Sequence, residues 1–301
     1  MTPSETLISV VIPAYNYAHL LPRALDSVLG QLADDVELIV VDDGSRDNTT
    51  EVLAGYAARH PQLRAIHQAN AGPAAARNRG IREAAGRYVL LLDADDELLP
   101  EALAQLRHAV AARPDAGMFL GAQVSVFADG RERLRQPTPV PALAPPELIA
   151  RYLLQKRIAI SHCCSLFRRD LLLQRPYPES LRKGEDIAVF AYLLVSAPVV
   201  TVAQPLARIH KHDDSLRHNR DREEENALGI VREVFASLPA ECQPLRRRYT
   251  AQRYLSLFRI AQADRDPAAA RRFYACALRL SPLQALRWGY LRKALRLLVR
   301  R

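Results

Sequence analysis

No stretch of the 301-residue chain approaches the roughly 18–20 uninterrupted apolar residues that a membrane-spanning helix requires. The opening residues, Met-Thr-Pro-Ser-Glu, hold no basic segment leading into an apolar one, so a secretory signal is not expected. Cysteines number four: Cys163 and Cys164 are adjacent, while Cys242 and Cys276 stand alone. That spacing fits neither a metal-binding pattern nor a disulfide framework, and it points to a reducing, cytoplasmic compartment. Two nucleotide-binding signatures are missing as well. The chain has no Gly-rich loop ending in Lys-Ser or Lys-Thr, which disfavours a P-loop NTPase. No Gly-x-Gly-x-x-Gly follows the first strand signal, which disfavours a dinucleotide oxidoreductase.

What is present reads as globular: 49% hydrophobic and 25% charged residues, enough chain for one large domain or a domain with an appendage. The formal net charge of +9 is unevenly spread. Residues 245–301 contain 15 Arg or Lys and only two acids, Asp264 and Asp266, so this tail is +13 and the rest of the chain −4. A basic total alone suggests nucleic acid. A basic tail on a mildly acidic body suggests a surface-docking appendage instead.

The first 115 residues alternate strand and helix signals. Leu7–Ile12 and Val36–Val41 are short apolar runs suited to buried parallel strands. Leu63–His67 and Tyr88–Leu92 follow as a third and fourth strand. Helices are expected over His19–Gly30, Thr50–His60 with Asp47 as N-cap, Gly72–Gly86 closed by Gly86, and Pro100–Ala112. This alternation predicts an α/β fold with a parallel sheet covered on both faces. Further on, Met118–Phe127 reads as a strand and Gln136–Pro146, with five prolines, as an extended loop or lid. Glu147–Gln155 and Asp186–Val195 read as helices, and Pro198–Ile209 as strands broken by Pro205. From Arg222 the pattern is all helix, punctuated by Pro239, Pro267 and Pro282, with a hairpin turning at Ala263–Pro267.

Ligands of open α/β sheets bind at the carboxyl ends of strands, and four successive strand ends here carry polar clusters. They are Pro13-Ala14-Tyr15-Asn16, Asp42-Asp43-Gly44-Ser45, Asn70-Ala71-Gly72 with Arg77-Asn78 in the following helix, and Asp93-Ala94-Asp95-Asp96. Three carboxylates within four residues repel one another unless a cation sits among them, and hard Mg²⁺ or Mn²⁺ ions favour such oxygen ligands beside substrate phosphates. The competing reading of the last cluster is a solvated acidic turn capping the 100–112 helix.

Taken together, Ile8-Ser-Val-Val-Ile-Pro-Ala-Tyr-Asn16, Val40-Val-Asp-Asp-Gly-Ser45, Ala76-Arg-Asn78 with Gly80, and Leu92-Asp-Ala-Asp-Asp96 resemble the nucleotide-sugar-binding half of family 2 glycosyltransferases. The resemblance is tight over residues 7–115, looser to about 215, and absent from the tail. It implies the GT-A fold: a mixed, mainly parallel sheet flanked by helices over residues 1–219, with a donor half to 115 and an acceptor half from 116. A basic helical extension follows over 220–301. It also implies roles. Pro13, Tyr15 and Asn16 would border the nucleotide, Asp42 would shape a turn, and Asp43 would hydrogen-bond the base edge. Arg77 would lie near the phosphates, Asp93 near the ribose, and Asp95 would lead the metal ligands, joined by Asp93 and His212. Asp96 is a further contact or a helix cap. Glu185 and Asp186 match the family's Glu-Asp motif, with Asp186 as general base and Glu185 orienting it or binding acceptor hydroxyls. His212 stands three residues before Ser215, as in the family pattern, and His210 is its competitor.

The activity so implied is inverting, metal-dependent transfer of a hexosyl or rhamnosyl group from a UDP- or dTDP-linked donor to a hydroxyl of a glycan or lipid-linked acceptor. The setting would be bacterial surface polysaccharide, namely lipopolysaccharide core, O-antigen or exopolysaccharide. The alternative is a non-catalytic nucleotide-sugar scaffold or sensor on the same fold. Ser161-His-Cys-Cys164 reads as buried structural cysteines rather than a nucleophile, since no third orienting group is flagged. In the tail, Trp288, Leu291, Leu295 and Leu298 fall at helical spacing among Arg292, Lys293, Arg296, Arg300 and Arg301. Such a stripe can lie in an anionic lipid interface, at the cytoplasmic face of the inner membrane, or pack on the body with its basic face in water. No nucleic-acid partner is expected, because no aromatic stacking platform accompanies the charge.

Overall fold

The computed structural model describes residues 6–211 and 222–299, with side chains to residue 297. In chain order the elements are β1 (Ile8–Ala14), α1 (Leu21–Leu29), β2 (Val36–Asp42), α2 (Thr49–Arg59), β3 (Leu63–His67), α3 (Pro73–Glu83) and β4 (Tyr88–Leu91). Then come β5 (Glu97–Leu98), α4 (Ala102–Ala112), β6 (Met118–Val126), β7 (Glu132–Arg135), α5 (Pro145–Ile149), β8 (Ser165–Arg168), α6 (Arg169–Gln174), α7 (Glu185–Ser196) and β9 (Val199–His210). Five helices complete the chain: α8 (Glu223–Ser237), α9 (Leu245–Ala263), α10 (Pro267–Leu280), α11 (Pro282–Ala285) and α12 (Trp288–Val299).

The strands form one sheet in the order β3-β2-β1-β4-β8-β6-β9-β5, with β7 pairing beside β6. Pairs β1–β2, β1–β4, β2–β3 and β6–β9 are parallel. Pairs β4–β8, β6–β8, β6–β7 and β5–β9 are antiparallel. The nearly continuous apolar runs of β1, β2 and β4 follow from their position: each has a strand on both sides and is covered on both faces. Successive side chains of β1 point to opposite faces. Ile8, Val10 and Ile12 join Leu21, Leu25 and Val28 of α1, with Leu103 and Leu106 of α4, in the main core. Val11 points the other way, against α3, where a Cβ on Gly80 would lie 2.2 Å from Val11 Cγ1. Gly80 therefore sets how closely α3 can ride on β1.

Several boundaries differ from the sequence reading, for physical reasons. Helix α3 ends at Glu83, and its last turn closes through Ala84 N–H to Gly80 O rather than at Gly86, whose N–H instead bonds Ser9 Oγ at 2.9 Å. Pro205 does not break the final strand. It sits in a register shift of β9 against β6, where Ala122 pairs with Pro205 and Gln123 with Ala207, so the missing N–H falls at an irregular step. The 147–155 helix is two pieces, α5 and a π-helical turn over Ala150–Leu154. The N-cap of α2 is Asn48 rather than Asp47, which stands one residue earlier and supports the first turn, its Oδ1 accepting from Thr49 N at 3.1 Å and Thr49 Oγ1 at 2.6 Å. The hairpin expected around Ala263–Pro267 forms between α9 and α10, with Asp266 capping α10 through Ala269 N.

The described chain divides into two compact units. The first, comprising 6–142, 158–180 and 192–211, contains the whole sheet. The second comprises 143–157, 181–191 and 222–299 and is helical. Its core is built on Phe258, Ala261, Ala270 and Phe273 of the α9–α10 hairpin. No helix among the described residues is long and apolar enough to cross a membrane.

The tight β2–α2 turn depends on Gly44, which has φ +73° and whose added Cβ would lie 2.8 Å from Asn70 N. Gly44→Ala is expected to destabilise the protein by roughly 1–3 kcal/mol, read as a lower urea midpoint with an unchanged slope.

Candidate active site at the strand ends

The four polar clusters converge at the carboxyl edge of β1, β2 and β4, and most of their groups are interlocked. Asn16, left-handed at φ 59°, donates its N–H to Ser45 Oγ at 3.0 Å and accepts from Arg46 N at 2.7 Å. The loops after β1 and β2 are thereby tied together, leaving Tyr15 exposed between Ala14 and Asn16. Pro13 lies within β1, opposite Val41.

Asp42 is buried, and its carboxylate accepts from Ser45 N at 3.0 Å, Thr50 Oγ1 at 3.0 Å and His67 Nδ1 at 3.1 Å. Burial pushes its pKa up, but these bonds outweigh it and hold the group below the ordinary carboxylate value. Asp43 is equally buried, and both its oxygens are engaged by one loop. Gln68 Nε2 (2.8 Å) and Ala71 N (2.9 Å) bond Oδ1, and Gly72 N (2.8 Å) bonds Oδ2. Asp43 thus fixes the segment that leads into α3.

Helix α3 in turn carries two buried polar residues inward. Arg77 pairs with Asp93 Oδ1 at 3.0 Å and lies over the Tyr177 ring at 5.9 Å. Asn78 exchanges bonds of 2.8 Å with the Tyr177 backbone and reaches Glu179 Oε1 at 2.9 Å. The Ala residues around them permit this burial by leaving room for the long arginine.

The acidic turn after β4 divides by environment. The Asp93 side chain is 37% exposed. Burial of its surroundings raises its pKa, yet the Arg77 guanidinium and the bonds from Arg77 and Cys163 bring it below normal. Asp95 is half-buried, and its backbone carbonyl accepts from Arg23. Asp96 is buried, its Oδ1 accepting from His210 N at 2.8 Å and its Oδ2 from Cys163 Sγ at 3.1 Å. Helix α4 starts only at Ala102, so Asp96 is no helix cap. It ties the end of β9 to the acidic turn. Burial, reinforced by the charge of Asp93, lifts its pKa to about 7. Burial and the same two aspartates also raise the Cys163 thiol, which stays protonated and donates to Asp96.

One ligand atom each from Asp93, Asp96 and Cys163 lies within 4.8 Å of the others. The oxygen donors suit a hard divalent ion, and an approaching cation would draw the proton from Asp96. The protonated thiol is a poor partner for Mg²⁺ or Mn²⁺. The donor set therefore fits such an ion through carboxylates, with Asp95 on the same turn. His212 lies outside the described residues. His210 is half-buried, with Nε2 3.2 Å from Glu97 Oε1.

Glu185 and Asp186 belong to the helical unit, in the first turn of α7, and both are half-buried. The preceding Lys183 carbonyl accepts from Asn226 Nδ2 of α8 at 3.0 Å, and the Asp186 charge contributes to raising the buried Tyr249 phenol, after burial itself.

Sequence reasoning did not find the contacts of Cys163, His162 and Tyr177. His162 Nε2 lies 2.9 Å from Tyr177 Oη, and burial, with Arg77 nearby, lowers its pKa to about 3. The only available signal was the polar run ahead of the short apolar segment that became β8. Nothing local announces that β8 inserts antiparallel beside β4.

Known proteins resemble the chain in sequence and in fold. The profile of "Glycosyl transferase family 2" matches residues 9–175, more than half of the chain. "Uncharacterized glycosyltransferase YibD" of Escherichia coli (strain K12) is 44% identical over 100 residues, 33% of this chain and 29% of the relative. The chain thus spans less than a third of that relative's length. A crystal structure of S. aureus TarS 1-349 in complex with UDP-GlcNAc superposes with a TM-score of 0.69 at 20% identity, covering 91% of this chain and 82% of that one. The mannosyltransferase PcManGT from Pyrobaculum calidifontis, in complex with GDP-Man and Mn²⁺, gives 0.56 at 18% identity, covering 97% and 84%. At these identities the two structures speak to the fold.

His162 supplies a pH prediction. An unfolded His162 takes up a proton below about 6.5 and the folded one only near 3, so its share of stability falls as pH drops through that window. Asp96 acts oppositely, binding its proton in the folded state near 7 and in the unfolded state near 3.8. His162→Gln removes only the first contribution. Its melting temperature, relative to wild type, is expected to rise steadily from pH 7 to pH 4.5 in differential scanning calorimetry.

Proposed function

Because the chain belongs to glycosyl transferase family 2, we propose that it transfers a sugar, with inversion, from a nucleotide diphosphate donor to a hydroxyl of a glycan or lipid-linked acceptor. The observation that carries this reading is the pairing of buried Arg77 with partly exposed Asp93 at the edge where β1, β2 and β4 end, beside the acidic turn. It supports the reading because a guanidinium can serve a donor's diphosphate and a partly exposed carboxylate its ribose, at the strand edge where α/β sheets bind ligands.

In this reading Tyr15, exposed after β1, borders the base, while Asn16 holds the loop that carries it. Asp42 and Asp43 keep the β2 turn and the Gln68–Gly72 loop in place, with Asp43 facing the base edge. Asp93 faces the ribose, and Arg77 orients it. Asp93 and Asp95, with Asp96 behind them and His212, would hold Mg²⁺ or Mn²⁺, which when bound neutralises charge on the departing diphosphate. The nucleophile is an acceptor hydroxyl, a poor one until it loses its proton. Asp186 takes that proton at its carboxylate, and the N-terminus of α7 favours the ionised form it needs. Glu185 orients Asp186 or binds acceptor hydroxyls. A UDP- or dTDP-linked hexose or deoxyhexose is the donor class we favour, and UDP-GlcNAc in the TarS structure supports the first of these. The process is bacterial surface polysaccharide assembly on the cytoplasmic side of the membrane.

Two outcomes are expected. Asp186→Asn should lower donor turnover about 10²–10⁴-fold while isothermal titration shows unchanged donor affinity; full turnover would remove Asp186 from the base role. A UDP-sugar at about 100 times its Kd should add ~2.7 kcal/mol of stability in a thermal-shift assay with Mn²⁺. Asp93→Asn should lose the Mn²⁺-dependent part of that gain.

A further inference from the structure

Helix α12 is held to the helical unit by one face and turns a chemically different face outward. Tyr290, Ala294 and Leu297, at i, i+4 and i+7, pack on the α9–α10 core, with the Tyr290 and Phe258 rings 6.5 Å apart. Gln262 Nε2 and Arg271 guanidinium bond the Lys293 and Leu297 carbonyls at 3.1 and 2.9 Å, so the helix is clamped along its length. The opposite face carries Trp288, Arg292, Leu295 and Arg296, all exposed. Trp288 is 71% exposed and Leu295 49%, and α11 with its following residue adds Leu283 at 87% and Leu286 at 51%. Four large apolar side chains thus stand in water within 13 residues of sequence. Isolated exposed apolar residues are ordinary, whereas a cluster rimmed by one sign of charge marks an interaction surface.

Within the α11–α12 segment the charged residues are all basic. Residues 281–297 contain Arg287, Arg292, Lys293 and Arg296 and no acid. A groove of about 850 Å³ runs beside the helix, lined by Trp288, Arg292, Leu295 and Arg296 together with Arg265, Asp266 and Pro267 from the α9–α10 turn, so that basic residues outnumber the one acid. We propose that this face of α11–α12 docks on an anionic lipid bilayer. Trp288, Leu283, Leu286 and Leu295 enter the headgroup boundary, and the arginines pair with lipid phosphates while their aliphatic stems follow the apolar side chains inward. The chemistry distinguishes this occupant from the others. A polynucleotide would use the charge but not three exposed leucines, and a second copy of a surface this basic would repel itself. This goes beyond the transferase reading, and vesicle binding reads it without donor, acceptor or turnover.

Trp288 is the chain's only tryptophan, so its emission reports this face alone. The full-length protein is mixed with vesicles of phosphatidylcholine containing 30% phosphatidylglycerol, and with phosphatidylcholine alone. Blue-shifted emission, quenched by brominated acyl chains, is expected with the anionic vesicles only. Arg292→Gln/Arg296→Gln should weaken sedimentation with them roughly 30-fold, at about 1 kcal/mol per basic residue. Leu283→Ser/Leu295→Ser should weaken it comparably, with an unchanged circular-dichroism melt in both variants. Equal binding to neutral vesicles, unaltered binding by both variants, blue-shifted emission through self-association without lipid, or a shift with RNA in place of vesicles would each overturn the proposal.

Discussion

A carboxylate removed from water must find donors, and that requirement organises the sheet end of this protein. Asp42, Asp43 and Asp96 are buried at the ends of apolar strands, where an unpaired charge would cost several kcal/mol. Each has recruited its donors from a different stretch of chain. Asp42 draws on its own turn, on α2 and on the end of β3; Asp43 on the Gln68–Gly72 loop; Asp96 on Cys163 and the end of β9. The loops at this edge are therefore cross-linked through acids. Asp93 belongs to the same lattice but remains partly open, its charge balanced by Arg77. The lattice leaves a partly open carboxylate next to a fixed guanidinium.

This division of labour recasts the acidic turn. Three aspartates within four residues are expected as ribose contact, leading metal ligand and further contact or helix cap, and the fold separates them by surroundings. Asp93 is kept ionised by a guanidinium, and Asp96 is held near neutrality on the pH scale by burial and by Asp93 itself. Two carboxylates pushed apart in pKa by their surroundings can coexist with ligand atoms within 4.8 Å of each other, where two ionised ones would repel. Cys163 serves this arrangement as a donor. Its thiol supplies a weak hydrogen bond to Asp96 without adding a charge, where a serine would be shorter and a lysine would compete with any incoming cation.

Much of this was legible in the sequence because the first half of the sheet is built from local units. The runs at Leu7–Ile12 and Val36–Val41 each declare a buried strand, Leu63–His67 declares a further one, which lies at the sheet edge, and polar residues follow them at the carboxyl ends. Strands β5 and β7 and the insertion of β8 between β4 and β6 were not legible. Two-residue and fully exposed strands carry no periodic signal, and β8 owes its place to long-range pairing. The tie from Asp96 to His210, 114 residues apart, is of the same kind. Arg77 shows the converse limit. It is expected near the phosphates through the family resemblance, and only the tertiary position of Asp93 explains its burial.

The tail repeats the lesson with the faces exchanged. Helical spacing picks out Trp288, Leu291 and Leu295 as an apolar stripe, and apolar stripes usually face a core. Here the core face is instead Tyr290, Ala294 and Leu297, offset by about half a turn from Trp288. Periodicity identifies that a helix has two apolar edges but not which one the protein covers. The smaller edge is the one that fits: Ala294 lets α12 approach the α9–α10 hairpin, and the two polar clamps from Gln262 and Arg271 fix its height. The larger edge, with the indole, would need a deeper groove than two antiparallel helices provide. It is left outward among arginines, so that Arg287, Arg292 and Arg296 stand around side chains that water solvates poorly.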